Sequence, residues 1–347
     1  MSNIGAWMQT VGAQWLLVNQ PHASILVALV QTADMLPDVL LAYVGGVLAD
    51  TFDRRLLIIV VQGCMVLAGL VLTILTIAGQ MPPALLLTLT FLLGAGSAFT
   101  VPAYQALIPD LVPRAELPSA STLGSININL ARAVGPAIAG VLIARAGVGA
   151  VFALNTAAFL FFGLVVAVWH LPAGRTSQSP ERFIPALWAG ERYVHYAPVV
   201  RRILVRSALF LVPASALWAL LPLVASQRLK LGANGYGLLL GALGVGAVAG
   251  AFVLPRIRAK LSSNAMLLAA SLLYAAVLVA LVLVPNTVVI LVVLLQTGIA
   301  WIAVLSCMNA AMQLFLPAWV RARGLSIYQM VLYGAQAGGA VIWGVMA

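Results

Sequence analysis

The feature that most constrains this chain is a succession of apolar runs separated by short turns that hold nearly all of its charge. Each run is about 20 residues long, the length a helix needs to cross a bilayer. They fall at 2–19, 25–49, 56–79, 84–107, 119–144 and 150–170, then at 203–224, 235–255, 264–284, 288–316 and 325–347, eleven in all. Only 7% of the 347 residues are charged, against about 25% in a soluble domain, too few to coat a water-facing surface. Lipid offers no partner for backbone N–H and C=O groups, so runs of this length read as helices that satisfy their own hydrogen bonds. The first run is interrupted by Asn3, Gln9, Thr10 and Gln14, which suits a helix facing a cavity rather than lipid.

The net charge of +10 does not point to nucleic acid, because the basic residues lie in separate gaps and form no continuous stripe. They instead set orientation. If the even-numbered turns and the segment 171–206 are cytoplasmic, that side holds fourteen Lys and Arg against three, Arg145, Arg228 and Lys230, on the other. This positive-inside bias places the chain as a multi-pass protein of the cell (inner or plasma) membrane with a cytoplasmic N-terminus. The one long polar stretch divides the chain into a first half at 1–170, a cytoplasmic linker at 171–202 and a second half at 203–347. Within the linker, Pro185 to Tyr196 mixes Leu187, Trp188 and Tyr193 with Glu191, Arg192 and His195, a pattern for a short interfacial helix. The chain opens without the basic flank expected before a first span and stops inside an apolar run, so truncation at both ends is expected.

Several activities are disfavoured by what the spans lack. Cys64 and Cys307 both fall in apolar runs and read as small buried hydrophobes. His22, His170 and His195 sit at loop ends, which leaves the spans without a nucleophile–base pair or ligand set, so no enzyme activity, metal or cofactor is expected. No Gly-x-x-x-x-Gly-Lys-Ser/Thr string is present, which removes nucleotide hydrolysis by this chain as an energy source.

A constant offset of 204 residues aligns Gly46 with Gly250, Arg54 with Arg258, Gly94 with Gly298, Pro113 with Pro317, Gly135 with Gly339 and Gly140 with Gly344. One offset that sets span on span predicts two parallel repeats of six helices, with a twelfth helix missing from this chain.

The turn after the second span reads Gly46-Val-Leu-Ala-Asp50-Thr-Phe-Asp53-Arg54-Arg55. Asp50 at a helix C-terminus and Arg54 and Arg55 at a helix N-terminus each oppose the local helix dipole. Other groups must hold these charges, either one another or a partner in the second half. The string resembles the G-x-L-A-D-R-x-G-R-R/K signature of the major facilitator superfamily at Gly46, Leu48, Ala49, Asp50, Arg54 and Arg55. It departs at Thr51 and Asp53. The resemblance implies the major facilitator fold and a conformational latch of Gly46, Asp50, Arg54 and Arg55 closing on the helix start near Arg323-Gly324-Leu325. A second stretch, Pro102 to Leu117 leading into Asn127 to Gly140, is similar to the enterobactin-exporter-like branch, also called the transmembrane secretion effector group. There Gly135, Pro136 and Gly140 resemble the helix-5 antiporter motif, where loss of a hydrogen bond at Pro predicts a bend. The similarity spans 2–347. Drug–proton antiporters of the superfamily carry an Arg within helix 4, where this chain has Thr90.

Two carboxylates, Asp34 and Asp38, lie about 15 and 21 Å into the second span and share one helix face. Acids inside the membrane are functional-site candidates, here as proton carriers. The other reading is that they line a wet cavity or pair with a cation. Arg132 is the one basic residue deep in a span, able to balance an acid or to bind an anionic substrate. With it, Trp7, Gln14, Gln105 and Asn127 are candidates to line a substrate cavity, alongside Tyr104, Trp218, Gln296, Trp301, Asn309 and Gln329. Trp, Tyr and Gln together suit a bulky, partly aromatic solute. The function expected is a monomeric secondary transporter in the lipid bilayer, exporting a small amphipathic, siderophore- or drug-like molecule against a proton flux. An importer on the same fold, or a transport-inactive remnant, are the alternatives.

Overall fold

The computed structural model describes residues 2–111, 113, 116–169, 196–258, 262–317 and 321–347. Eleven α-helices lie among them. The first set is α1 Ser2–Leu17, α2 Ala23–Thr51, α3 Arg54–Ile77, α4 Pro83–Leu111, α5 Leu117–Ala146 and α6 Val148–Val168. The second is α7 Pro198–Leu223, α8 Ala233–Arg258, α9 Ser263–Leu283, α10 Thr287–Phe315 and α11 Arg321–Met346, with a π-helical turn Val224–Arg228 continuing α7. Every run expected from hydropathy is a helix, with ends displaced by a few residues where local chemistry decides. The expected linker end at 202 is too late. Pro198 sits in the first turn of α7, where its missing N–H costs nothing and its fixed φ suits a helix start. Likewise α11 begins at Arg321 rather than 325. The proposed interfacial helix falls on 185–195, outside the described residues.

Eight helices have an 18-residue window long and apolar enough to cross a membrane. The three that do not are α1, α5 and α11; α5 and α11 each pack on a helix of the other set.

Helix pairing in the two sets follows one plan. In the first, α2 packs on α4, α1 on α5 and α3 on α4. In the second, α8 packs on α10, α7 on α11 and α9 on α10. Two of the glycine pairs aligned at the 204-residue offset occupy matching positions in these helix pairs. A Cβ on Gly94 would lie 2.6 Å from the Asp34 carbonyl oxygen, and one on Gly298 would lie 2.0 Å from that of Leu243, so both mark the α2–α4-type crossing. Gly135 meets Ile4 and Trp7 of α1, and Gly339 meets Val212 and Ser215 of α7. Small residues at such crossings let helix backbones approach where no hydrophobic force drives them together.

Two main crossings join the sets, α5 with α8 and α2 with α11, and α2 also touches α7. They are pseudo-symmetric as well. Gly140 lies against Ala233 and Gly237 of α8, and its counterpart Gly344 against Ser24, Ile25 and Ala28 of α2. The end of the bundle carrying the α2–α3 and α8–α9 turns holds most of the basic residues and is called the basic end here; the other is the far end. Described contacts between the sets run from mid-bundle to the far end. Three or four turns on, Leu123 of α5 and Phe252 of α8 roughly continue the two facing stripes and are 68% and 72% exposed. Among the described residues the bundle is therefore closed at the far end and splayed at the basic end.

Candidate functional site

The titratable groups of the spans converge where α1, α2, α5 and α11 meet. On α2, Asp34 accepts a hydrogen bond from Thr10 Oγ1 of α1 at 3.4 Å. Asp38 stands one helical turn further and within electrostatic reach of Asp34. From α11, Tyr333 lies within reach of Asp38, Arg132 and Asp34 together. Arg132 of α5 holds its guanidinium 5.4 Å over the ring of Trp7 on α1, a cation–π contact. Among the described residues, Arg132 is linked to the acids through Tyr333 and makes no direct ion pair with them. Its buried Nε is left without a hydrogen-bond partner.

An aromatic tract leads from this cluster into the second set. Trp7 packs against Trp218 of α7 at a centroid distance of 5.7 Å, Trp218 against Trp301 of α10 at 5.6 Å, and Trp301 against Tyr274 of α9 at 6.1 Å. Trp301 is 4% exposed, and its buried indole nitrogen has no hydrogen-bond partner. The tract offers flat apolar ring faces and two indole donors, of Trp218 and Trp301, without a hydrogen-bond partner.

Toward the far end the path is shut by a small polar lock. Gln14 of α1, 4% exposed, accepts from the Tyr236 hydroxyl of α8 at 2.6 Å and donates to the Trp218 carbonyl of α7 at 3.3 Å. Trp15 stacks on Tyr236 beside it, with centroids 5.9 Å apart. Gln14 and Trp218 are themselves partners at the 204-residue offset, so α1 and α7 touch at equivalent positions, close to the pseudo-twofold axis. The Thr32 hydroxyl of α2 adds a bond to the Ala337 carbonyl of α11 at 3.1 Å.

The turn at the basic end is held differently from the simplest expectation. Arg55 donates through Nε to the Val166 carbonyl at 3.0 Å and through Nη2 to that of Ala167. Both carbonyls belong to the last turn of α6 or adjoin it, where unpaired carbonyls and the negative dipole end favour a cation. The unfavourable dipole of α3 is thus answered by α6. Asp53, where the family pattern has Gly, caps α3 by accepting from the Leu56 amide at 2.8 Å. Arg54 opens α3. Gly46 lies on α2, and the Asp50 and Arg323 side chains fall outside the described residues.

Other sequence candidates separate. Gln105 and Asn127 are exposed on the splayed, basic-end parts of α4 and α5, away from the Asp34–Arg132 cluster. α5 continues as a helix through Pro136 to Ala146. Pro136 cannot donate, so the Arg132 carbonyl lacks its helical partner; Gly135 and Gly140 serve close packing on α1 and α8. Thr90 is buried and donates back to the Leu86 carbonyl at 2.8 Å. Tyr333, Tyr236 and Thr10 were not singled out from sequence. The only available signal for Thr10 was the polar break in the first run, and nothing marked the tyrosines.

The family model described as transmembrane secretion effector matches residues 1–347. The chain belongs to this family of the major facilitator superfamily. It is 24% identical over 272 residues to the staphyloferrin A transporter of Staphylococcus aureus (strain NCTC 8325 / PS 47), covering 78% of this chain and 68% of that protein. It is 30% identical over 234 residues to the enterobactin exporter EntS of Escherichia coli O1:K1 / APEC, covering 66% of this chain and 54% of the exporter. Among solved structures it resembles a bacterial homologue of the human lysosomal transporter Spinster, in an inward-facing and unoccupied conformation. That likeness has a TM-score of 0.71 at 14% identity, over 98% of this chain and 80% of that one. It also resembles the nucleoside transporter NupG, with a TM-score of 0.70 at 11% identity, over 99% and 89%. At such identities these structures speak for the fold alone.

Proposed function

We propose that this secretion-effector family member is a secondary active exporter that moves a small amphipathic, siderophore-like molecule by alternating access, coupled to protons. The observation that carries the reading is the Asp34–Asp38–Tyr333–Arg132 cluster. It gathers proton-accepting groups and a cation whose buried Nε has no hydrogen-bond partner where the two helix sets meet. Charge there is expensive in a membrane protein unless it has work to do. Arg132 with Trp7 and Trp218 forms the face that receives an acidic, partly aromatic solute. Asp34 and Asp38 exchange the coupling protons.

Outward direction rests on the likeness to enterobactin exporters, and a siderophore cargo also on the likeness to the staphyloferrin A transporter. All eleven helices span the bilayer in this reading, and the positive-inside bias puts the basic end in the cytoplasm. The conformer described is then the one that loads from inside. Asp50 and the arginines of the α2–α3 turn act on the splayed end, closing it toward α11 in the opposite state.

The test is transport of enterobactin and of staphyloferrin A in inside-out vesicles containing the protein. Accumulation that collapses with an uncoupler, and is lost in Asp34→Asn or Asp38→Asn, is the expected result. Uncoupler-insensitive accumulation overturns proton coupling, and movement only in right-side-out vesicles reverses the direction.

A further inference from the structure

Beyond the locked far end lies a second polar space that the transport reading does not use. It is an open pocket of about 470 Å³ between the α1–α2 turn, the end of α7 and Ala347 just after α11, with Gln20, His22, Ser24, Gln227 and Arg228 around it and Leu220 and Val224 as its apolar wall. Three independent features mark this place. The π-helical turn Val224–Arg228 replaces the last α-helical turn of α7, and π turns are rare and concentrate at functional sites. Among the described residues only His22 and Lys230 hold a left-handed backbone without being glycine, at φ 58° and 52°. Such a conformation costs energy and persists where the surroundings or a function require it. His22 lines the cavity, and Lys230 lies two residues beyond its Arg228.

The third feature is charge. All eight acids of the chain are Asp34, Asp38, Asp50, Asp53, Asp110, Glu116, Glu181 and Glu191. None lies in a far-end turn, whereas Arg145, Arg228 and Lys230 do. These cations run against the positive-inside bias, and among the described residues no acidic side chain lines the pocket. The cavity also sits in line with the transport path. Along α1 and α7 it comes just after the Gln14–Trp218–Tyr236 lock, which in turn follows Trp7 and Arg132.

We infer that this far-end vestibule is a second binding site, a station for a carboxylate-bearing anion between the closed lock and the outer solution. Arg228 supplies the cationic side, His22, Gln20, Gln227 and Ser24 the further hydrogen bonds, and Leu220 and Val224 receive the apolar part of the same molecule. An anion released from Arg132 past the lock would be held here before it leaves.

Citrate, a compact tricarboxylate, is the probe, titrated calorimetrically into the full chain in detergent, where both ends are accessible. Arg228→Gln and His22→Asn are the informative variants, since Asn tolerates the left-handed backbone at position 22. Each should weaken citrate binding about tenfold, the scale of one charge-assisted hydrogen bond. Arg145→Gln, on the same end but away from the cavity, should leave it unchanged, and binding should survive in Arg132→Gln. The assignment is overturned if citrate fails to bind, if Arg145→Gln weakens it as much as Arg228→Gln, or if binding disappears in Arg132→Gln and persists in Arg228→Gln. None of these readouts requires transport, so a failure here leaves the export reading to its own test.

Discussion

The two helix sets share one packing plan and divide the chemistry unequally. At the 204-residue offset, Asp34 and Asp38 of the first set correspond to Leu238 and Ala242 of the second, Thr10 to Ala214, and Arg132 to Gln336. The glycines, by contrast, recur at the same crossings. What the repeat preserves is backbone approach, because two similar bodies must pack against each other. What it discards is the second copy of the charges, because each additional buried charge carries its own desolvation cost. The second set offers aromatic surface instead, with Trp218, Trp301, Tyr274 and Phe210 in mutual contact. In this reading the first set carries the coupling and the second shapes the cargo wall.

That division can be broken experimentally. The largest effect belongs to the acids. Asp34→Asn or Asp38→Asn should abolish gradient-driven transport, while Gln336→Glu, which adds an acid at the second-set equivalent of Arg132, should not restore it. Rescue by the second set would dissolve the asymmetry. Next comes the packing that the sets hold in common. A Cβ at Gly244 would lie 2.3 Å from the Ala133 Cα, so Gly244→Ala must shift backbone and should cost about 1–3 kcal/mol. This would read out as a lower Tm in detergent, and an unchanged Tm would mean the α5–α8 crossing is looser than described.

A smaller effect is expected at the lock. Gln14→Leu keeps the bulk and removes the bonds to Tyr236 and Trp218, a loss of about 1 kcal/mol for each bond. It should raise the rate at which an impermeant reagent added at the far end labels a cysteine placed at Thr10, on the inner side of the lock, and an unaltered rate would show that the lock does not seal the far end. The smallest effect is local to the basic-end turn. Asp53→Ala removes the α3 cap and should cost about 1 kcal/mol, lowering Tm slightly while transport continues.

The contrast between the sets also explains what was legible in the sequence. Helices were readable because lipid fixes their length and composition, and the repeat was readable because glycine spacing survives where close approach is required. The Asp34–Asp38 pair stood out as two charges in an apolar run. Tyr333 did not, because a tyrosine in a membrane helix is unremarkable until tertiary packing turns it toward Arg132 and Asp38. Arg55 was visible as a charge at the wrong helix end. Its acceptors, the carbonyls of Val166 and Ala167, belong to backbone more than a hundred residues away, which no local pattern encodes. Asp53 looked like a departure from the family string, when its carboxylate had simply taken up the cap of α3.

The central claim is that two pseudo-symmetric bodies exchange closure between the two ends, and spin-label distances across the α5–α8 crossing test it most directly. One pair, at Leu123 and Phe252, reports the basic end; the other, at Val141 and Leu238, reports the far end. All four residues are 48% exposed or more, so labels there should not disturb packing. Adding substrate under a proton gradient should shorten the first distance and lengthen the second. Two distances that move in the same direction, or a basic-end distance that never shortens, would contradict the account.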